Sequence, residues 1–165
     1  MARAIVLGTC LAALTGCGSA TLENGRYASP KGYGVVVPSP GWTVVPQDEA
    51  DVEWQRTVPP ARMLVHGSCD DGTPRRTLPV LARQLMMGVR DRTVIEKGEV
   101  TIAGRPAGHV VVEARSVDGP ERVRVEAYVV KDTHCVYDFL YAAPLDAFEA
   151  SRPDFRRVVD SLTLE

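Results

Sequence analysis

Residues 122–131 read "RVRVEAYVVK", and their alternation decides the fold. Val123, Val125, Ala127 and Val129 fall on one side, with Arg122, Arg124, Glu126 and Tyr128 on the other. A side-chain period of two is that of a β-strand with one buried face. No proline interrupts the run, so it is expected to be a central strand of a sheet. Asp118-Gly119 just upstream marks a hairpin turn, preceded by His109–Val117. There Val110, Val112 and Ala114 alternate with His109, Val111 and Glu113. A turn around Gly104 joins this run to Val94–Ile102. Downstream, Cys135–Tyr141 puts Cys135, Tyr137, Phe139 and Tyr141 on a single face. Four strands joined by short turns predict an antiparallel meander.

The rest of the chain supplies shorter strands and two helices. "GYGVVVPSPGWTVVP" at 32–46 gives β runs Tyr33–Val37 and Trp42–Val45, broken by Pro38-Ser39-Pro40-Gly41. Val52–Arg56 and Arg62–His66 are the next candidates. From Thr77, a residue suited to capping, the period lengthens to a helix's. Leu78, Leu81, Ala82, Leu85, Met86 and Val89 lie opposite Arg83, Gln84 and Arg90. Ser151 and Asp154 have capping-box spacing, ahead of the stripe Phe155, Val158, Val159 and Leu162. The expected fold class is α+β, an antiparallel β-sheet flanked by helices.

Four stretches resemble the PsbP-like family: "YGVVVPSPGW" at 33–42, "AGRPAGHVVVEA" at 103–114, "EAYVVKDTHCVYDFLYAAP" at 126–144 and "FRRVVDSL" at 155–162. That family includes the PsbP extrinsic subunit of photosystem II, a eukaryotic Ran-binding import factor and many bacterial lipoproteins. The resemblance spans nearly all of residues 32–165. It implies an antiparallel sheet flanked by helices and no shared catalytic residues.

At the N-terminus, Arg3 is followed by an uncharged, mostly apolar run from Ala4 to Ala13. It is shorter than the about 20 residues a permanent membrane span requires, and its charged start and small-residue end are those of an export signal. "LTGCGS" at 14–19 resembles the bacterial lipobox. That resemblance implies cleavage before Cys17 and a diacylglycerol on its sulfur. The expected organisation is a signal peptide over 1–16, the lipidated Cys17 with a short tether over 17–31, and a globular domain over 32–165. Gly18 stands where aspartate would resemble an inner-membrane retention signal. In a Gram-negative host this favours the outer membrane, facing the periplasm.

With 21 acidic and 19 basic side chains, the net charge is −2, and nothing suggests a nucleic-acid partner. Cys69 and Cys135 are an even pair in an exported chain, which favours a disulfide. A metal set of His66, Cys69, His134 and Cys135 and a pair of free thiols are the alternatives. His66, Ser68 and Cys69 lack a G-x-S-x-G elbow and an orienting carboxylate, so no catalytic residue is assigned. Asp70, Asp71 and Gly72 match a calcium loop only faintly. Trp42, Trp54, Tyr33 and Tyr128 could line a contact site, though such aromatics more often finish a core. Arg75-Arg76 and Arg156-Arg157 are expected at a solvated surface.

The expectation is therefore a lipid-anchored envelope protein without a cofactor, an accessory or assembly factor with a protein partner. A carrier or sensor of a small apolar ligand is the alternative, and an enzyme the third. Replacing Cys17 with serine should release the protein from the membrane fraction or leave its precursor uncleaved. Intact-mass measurement of native material with an unmodified Cys17 would reject the anchor.

Overall fold

The computed structural model describes residues 19–46, 48, 50–70, 75–87, 89–116 and 119–165. Cys17, the signal segment, Asp71, Gly72 and the 117–118 part of the predicted hairpin turn lie outside them. Eleven strands and two helices follow in chain order. They are β1 (Thr21–Glu23), β2 (Arg26–Ser29), β3 (Tyr33–Val36), β4 (Thr43–Val45), β5 (Val52–Arg56), β6 (Ala61–Ser68) and α1 (Leu78–Leu85). Then come β7 (Arg90–Ile102), β8 (Arg105–Arg115), β9 (Arg122–Lys131), β10 (Val136–Pro144), α2 (Phe148–Asp160) and β11 (Thr163–Leu164).

A seven-stranded antiparallel sheet runs in the order β4-β5-β6-β10-β9-β8-β7. The predicted meander is its right half, and β9 is an interior strand. One face carries α1, seated across β8 and β9. The other carries α2 and a four-stranded sheet of order β1-β2-β3-β11. Trp54, Met63, Val65, Tyr137, Phe139 and Tyr141 of the large sheet pack there against Tyr27, Tyr33, Phe155 and Val158. On the α1 side, Val110, Val112, Val125 and Ala127 meet Met86. The fold is thus an α+β sandwich, as the alternation of residues 122–131 required.

Several expectations change in detail. The tether over 17–31 is shorter than expected, because β1 and β2 pair as a hairpin about Asn24-Gly25. Both turn residues have positive φ, 51° and 73°, the geometry of a tight two-residue turn. The hairpin's polar composition hid its one anchor, Tyr27, which is buried. Helix α1 ends at Leu85 rather than continuing to Val89. Arg92 donates to the Met86 carbonyl oxygen at 2.7 Å, satisfying a group at the helix end, and β7 starts at Arg90. Helix α2 starts at Phe148, before the Ser151 cap position, which is a buried interior residue. Phe148 is itself fully buried, and the Tyr141 hydroxyl donates to its carbonyl oxygen at 2.7 Å. Burial of that ring outweighs the capping preference of Ser151.

The face of β9 that looked polar is also covered. Glu126 and Tyr128 are buried beneath α2, while Val125, Ala127 and Val129 are buried on the α1 side. Val125 pairs across to Val112 on β8 and Ala142 on β10. Val125→Asp should therefore lower stability by roughly 2–5 kcal/mol, through a carboxyl in an apolar layer. Denaturant melts matching the parent's would show that the register is wrong.

Candidate functional site

Strand β9 directs Glu126 toward α2, where no atom of the side chain reaches solvent. Arg152 and Arg156, one helical turn apart on α2, both point back at it. Arg152 donates from Nε to Glu126 Oε2 at 2.8 Å and from Nη2 to Oε1 at 3.2 Å. Arg156 Nη2 donates to Oε1 at 3.1 Å. His109 Nε2 on β8 lies 2.9 Å from the same oxygen, and the Tyr128 hydroxyl donates to it at 3.1 Å. The His109 ring stacks on Tyr128 with centroids 4.4 Å apart. Burial pushes the Glu126 pKa up, but the bonds from His109, Arg152 and Arg156 outweigh it and hold the group down at about 2.

This is the densest polar cluster of the domain, and its capacity is spent internally. Glu126 is ionised and saturated with donors, so it is not free to take a proton from a substrate. Arg152 also reaches Glu96 on β7 at 3.3 Å and Glu149 at 3.4 Å. Arg156 and Arg157 are both exposed, as expected for surface residues. Arg156 nevertheless reaches Glu126 at 3.1 Å, and Arg157 pairs with Asp154 at 2.6 Å.

A second polar cluster ties the small sheet to the large one. Asp51 accepts from Lys31 Nζ at 2.6 Å, the Tyr33 hydroxyl at 2.8 Å and the Gly67 N–H at 2.9 Å. Burial raises its pKa, and these three donors together lower it below the usual carboxylate range. Asp138 is the contrary case. It sits opposite His66 on β6 and Val129 on β9, where burial pushes its carboxyl up to about 7.

The structure joins Cys69, just after β6, to Cys135, just before β10, as a disulfide with Cα atoms 4.2 Å apart. Antiparallel pairing of β6 with β10, through Ser68 opposite Val136, brings the two together. Cys69, His66, His134 and Cys135 therefore do not form the metal set considered as an alternative. Among the described residues, no three His, Cys, Asp or Glu side chains group closely enough to hold a metal ion. The four singled-out aromatics belong to the core or its rim. Tyr33, Trp54 and Tyr128 are buried, and half-buried Trp42 donates to Asp154 at 3.0 Å.

An apolar opening lies on the α1 face. The short helix covers β8 and β9 but not the lower ends of β6 and β10. A groove of about 390 Å³ remains there. Its walls are Leu85, Val89, Val123, Val125, Leu140 and Ala142, and at its rim stand Arg56, paired with Asp154 at 3.1 Å, and Arg62, paired with Glu53 at 3.9 Å. A smaller concavity of about 190 Å³ continues past Leu140 to Leu64. The sequence pattern assigned the apolar residues of β9 to a core, and the groove appears because α1 stops four residues short of Val89.

The architecture, a large antiparallel sheet between α1 and α2 with a small sheet beside α2, is that of the PsbP-like proteins. The cyanobacterial PsbP (CyanoP) from Synechocystis sp. PCC 6803 superposes with a TM-score of 0.63 at 18% identity, covering 96% of this chain and 99% of that one. LpqN of Mycobacterium tuberculosis, involved in cell envelope biogenesis, gives a TM-score of 0.64 at 14% identity, over 80% and 82% of the two chains. A Pseudomonas aeruginosa protein of unknown function gives 0.55 at 11% identity, over 78% and 84%. No protein-family model and no curated protein matches the sequence.

The lowered pKa of Glu126 has a definite consequence. Its ionised form stabilises the fold above the ordinary carboxylate value near 4.5, and that contribution is lost as pH falls toward about 2. Glu126→Gln should cost roughly 3 kcal/mol at neutral pH, by removing the buried negative charge on which Arg152 and Arg156 converge. Its stability should also fall less steeply than the parent's between about pH 4.5 and 2. Parallel acid profiles for the two proteins would show that Glu126 is not the titrating group.

Proposed function

We propose that this chain is a cell-envelope protein, anchored through a lipid on Cys17, that acts without catalysis as an accessory or assembly factor for an envelope protein complex. The open apolar groove of β6, β9, β10 and α1 carries this reading. It offers partly exposed Leu140 and Ala142 on a rigid sheet, a surface suited to apolar side chains of a partner. The polar clusters support a binding role, since their ionised groups are occupied by one another. The likeness of the fold to LpqN, a protein of cell envelope biogenesis, agrees with an envelope location. Thr21, the first strand residue, lies four positions after Cys17. At about 3.3–3.6 Å per residue the domain would stand within roughly 14 Å of its anchor.

The groove also favours a second reading, a carrier or sensor of a small apolar ligand. Its size lies within the about 300–1,000 Å³ usual for ligand sites, and its walls are mainly apolar. The two readings separate in one experiment. A photo-crosslinking side chain at Leu140, in the membrane-anchored protein, should form a discrete protein adduct that Ala142→Glu abolishes. The same group at exposed Asp160, at the end of α2 on the other face of the sheet, should not form it. No protein adduct at Leu140, together with extra small-molecule mass in native mass spectrometry, would overturn the accessory-factor reading in favour of the carrier.

A further inference from the structure

The large sheet ends at β7, and among the described residues no strand pairs with its outer edge. The strand is 13 residues long and exposed along its length except at Ile102. Val94, Ile95 and Val100 are open to solvent. A row of unpaired backbone N–H and C=O groups templates another strand unless something blunts it. Here the bulges are confined to the first half, where the register with β8 shifts between Arg90 and Thr93 and between Val94 and Glu96, and the second half is guarded only by the charges of Glu96, Lys97 and Glu99. From Glu96 to Ile102 the pairing with β8 is regular, and this segment contains no proline.

Which groups point outward follows from the turn that ends β7. Ala103 and Gly104 have φ of 50° and 71°, the two-residue loop whose flanking pair, Ile102 and Arg105, exchanges hydrogen bonds. Counting back in twos, Ile102, Val100 and Gly98 spend their backbone groups on β8. Lys97, Glu99 and Thr101 therefore present theirs to the outside. A docked antiparallel strand must set its own outward residues opposite these three.

If the docked strand is β7 of a second copy, this rule leaves few registers, and charge separates them. Centring the pair on Lys97 sets Lys97 against itself, and centring it on Glu99 sets Glu99 against itself. Centring it on Gly98 sets Lys97 opposite Glu99 of the second copy, and Glu99 opposite its Lys97. The same register puts Glu96 opposite Val100, within the regular part of the strand. Neither Lys97 nor Glu99 has an ion-pair partner within its own chain among the described residues. The like-charged registers are disfavoured and the mixed one is favoured twice over. We propose that β7 pairs antiparallel with β7 of a second copy, centred on Gly98, and joins two seven-stranded sheets into one. This surface is separate from the groove of the preceding section, and either can fail without the other.

Gly98 sits on the proposed two-fold axis as a non-hydrogen-bonded pair, whose Cα atoms approach to about 4.5 Å, within reach of a disulfide. A Cβ added there meets nothing within 4 Å in its own chain. Gly98→Cys in the full chain, kept in its membrane and mildly oxidised, should give a covalent dimer. The unsubstituted chain and Glu96→Cys, treated identically, should not. In sedimentation of the purified full chain, Lys97→Glu should weaken self-association about tenfold or more, as two attractive pairs turn repulsive. Adding Glu99→Lys to Lys97→Glu should restore it. A chain that is monomeric at every concentration, crosslinking at Glu96→Cys as efficient as at Gly98→Cys, or a swapped pair that does not recover would each overturn the proposal.

Discussion

A carboxylate buried away from water is tolerable only if it is paired, and Glu126 fixes much of the domain through that requirement. Its donors come from β8, β9 and α2, so all three must be in place before the charge is satisfied. A purely apolar contact between α2 and the sheet would let the helix slide by a turn at modest cost. The guanidinium of Arg152, meeting both carboxylate oxygens, does not. The aromatic layer beneath is aligned accordingly. Phe155 lies 5.9 Å from Tyr128 and stacks on Tyr141 at 5.3 Å. Buried ion pairs add little net stability compared with apolar packing of the same volume. The role we assign to Glu126 is therefore to specify where α2 sits.

The strands were legible because each carries a face of apolar residues at period two. Val52–Arg56 and Arg122–Lys131 coincide with β5 and β9 to the residue, and the aromatic face of Cys135–Tyr141 lies in the core. Misreadings occurred where tertiary contacts overrode a local signal. Residues 21–29 look like a linker, since their hairpin has a single buried large side chain, Tyr27, to declare it. The helical spacing through Val89 was real as a pattern, but two more strands' worth of sheet needed an edge, and the chain turns at Met86 to supply it. The role of Glu126 was hidden by the same alternation that revealed β9. A charged residue between an Arg and a Tyr on one face reads as solvated, and only the i, i+4 pair Arg152 and Arg156, on a distant helix, says otherwise.

The two faces of the large sheet are unequally covered, and the electrostatics follow that asymmetry. Beneath α2 and the small sheet, buried Glu126 and partly buried Asp51 are surrounded by donors, and their pKa values are lowered. On the open face buried Glu53 is paired with Arg62 at 3.9 Å, but Asp138 has burial alone acting on it and is shifted the other way. The first face was closed with its charges provided for. The second was closed only across β8 and β9, by a helix of eight residues, and it retains both the carboxyl raised by burial and the open groove. A binding role fits this second face better than the first, because occupying it would bury apolar surface that the fold leaves wet.

The disulfide acts at the junction of those two faces. Cys69 directly follows β6, which contributes Val65 to the aromatic core and Leu64 to the open side. Cys135 directly precedes β10, whose Phe139 and Leu140 divide in the same way. Linking them closes a loop spanning 66 positions of sequence, which includes α1 and three strands of the sheet. In the chain-entropy account, such a loop restricts the unfolded ensemble by an amount on the order of 4 kcal/mol. The link lies at the Ser68–Val136 end of the pairing, where Val136 packs beneath Leu81 and Ala82 of α1. The groove opens at the other end, around Arg62 and Ala142. The bond therefore reinforces the covered end of β6 and β10, and the groove end is held by the strand pairing itself.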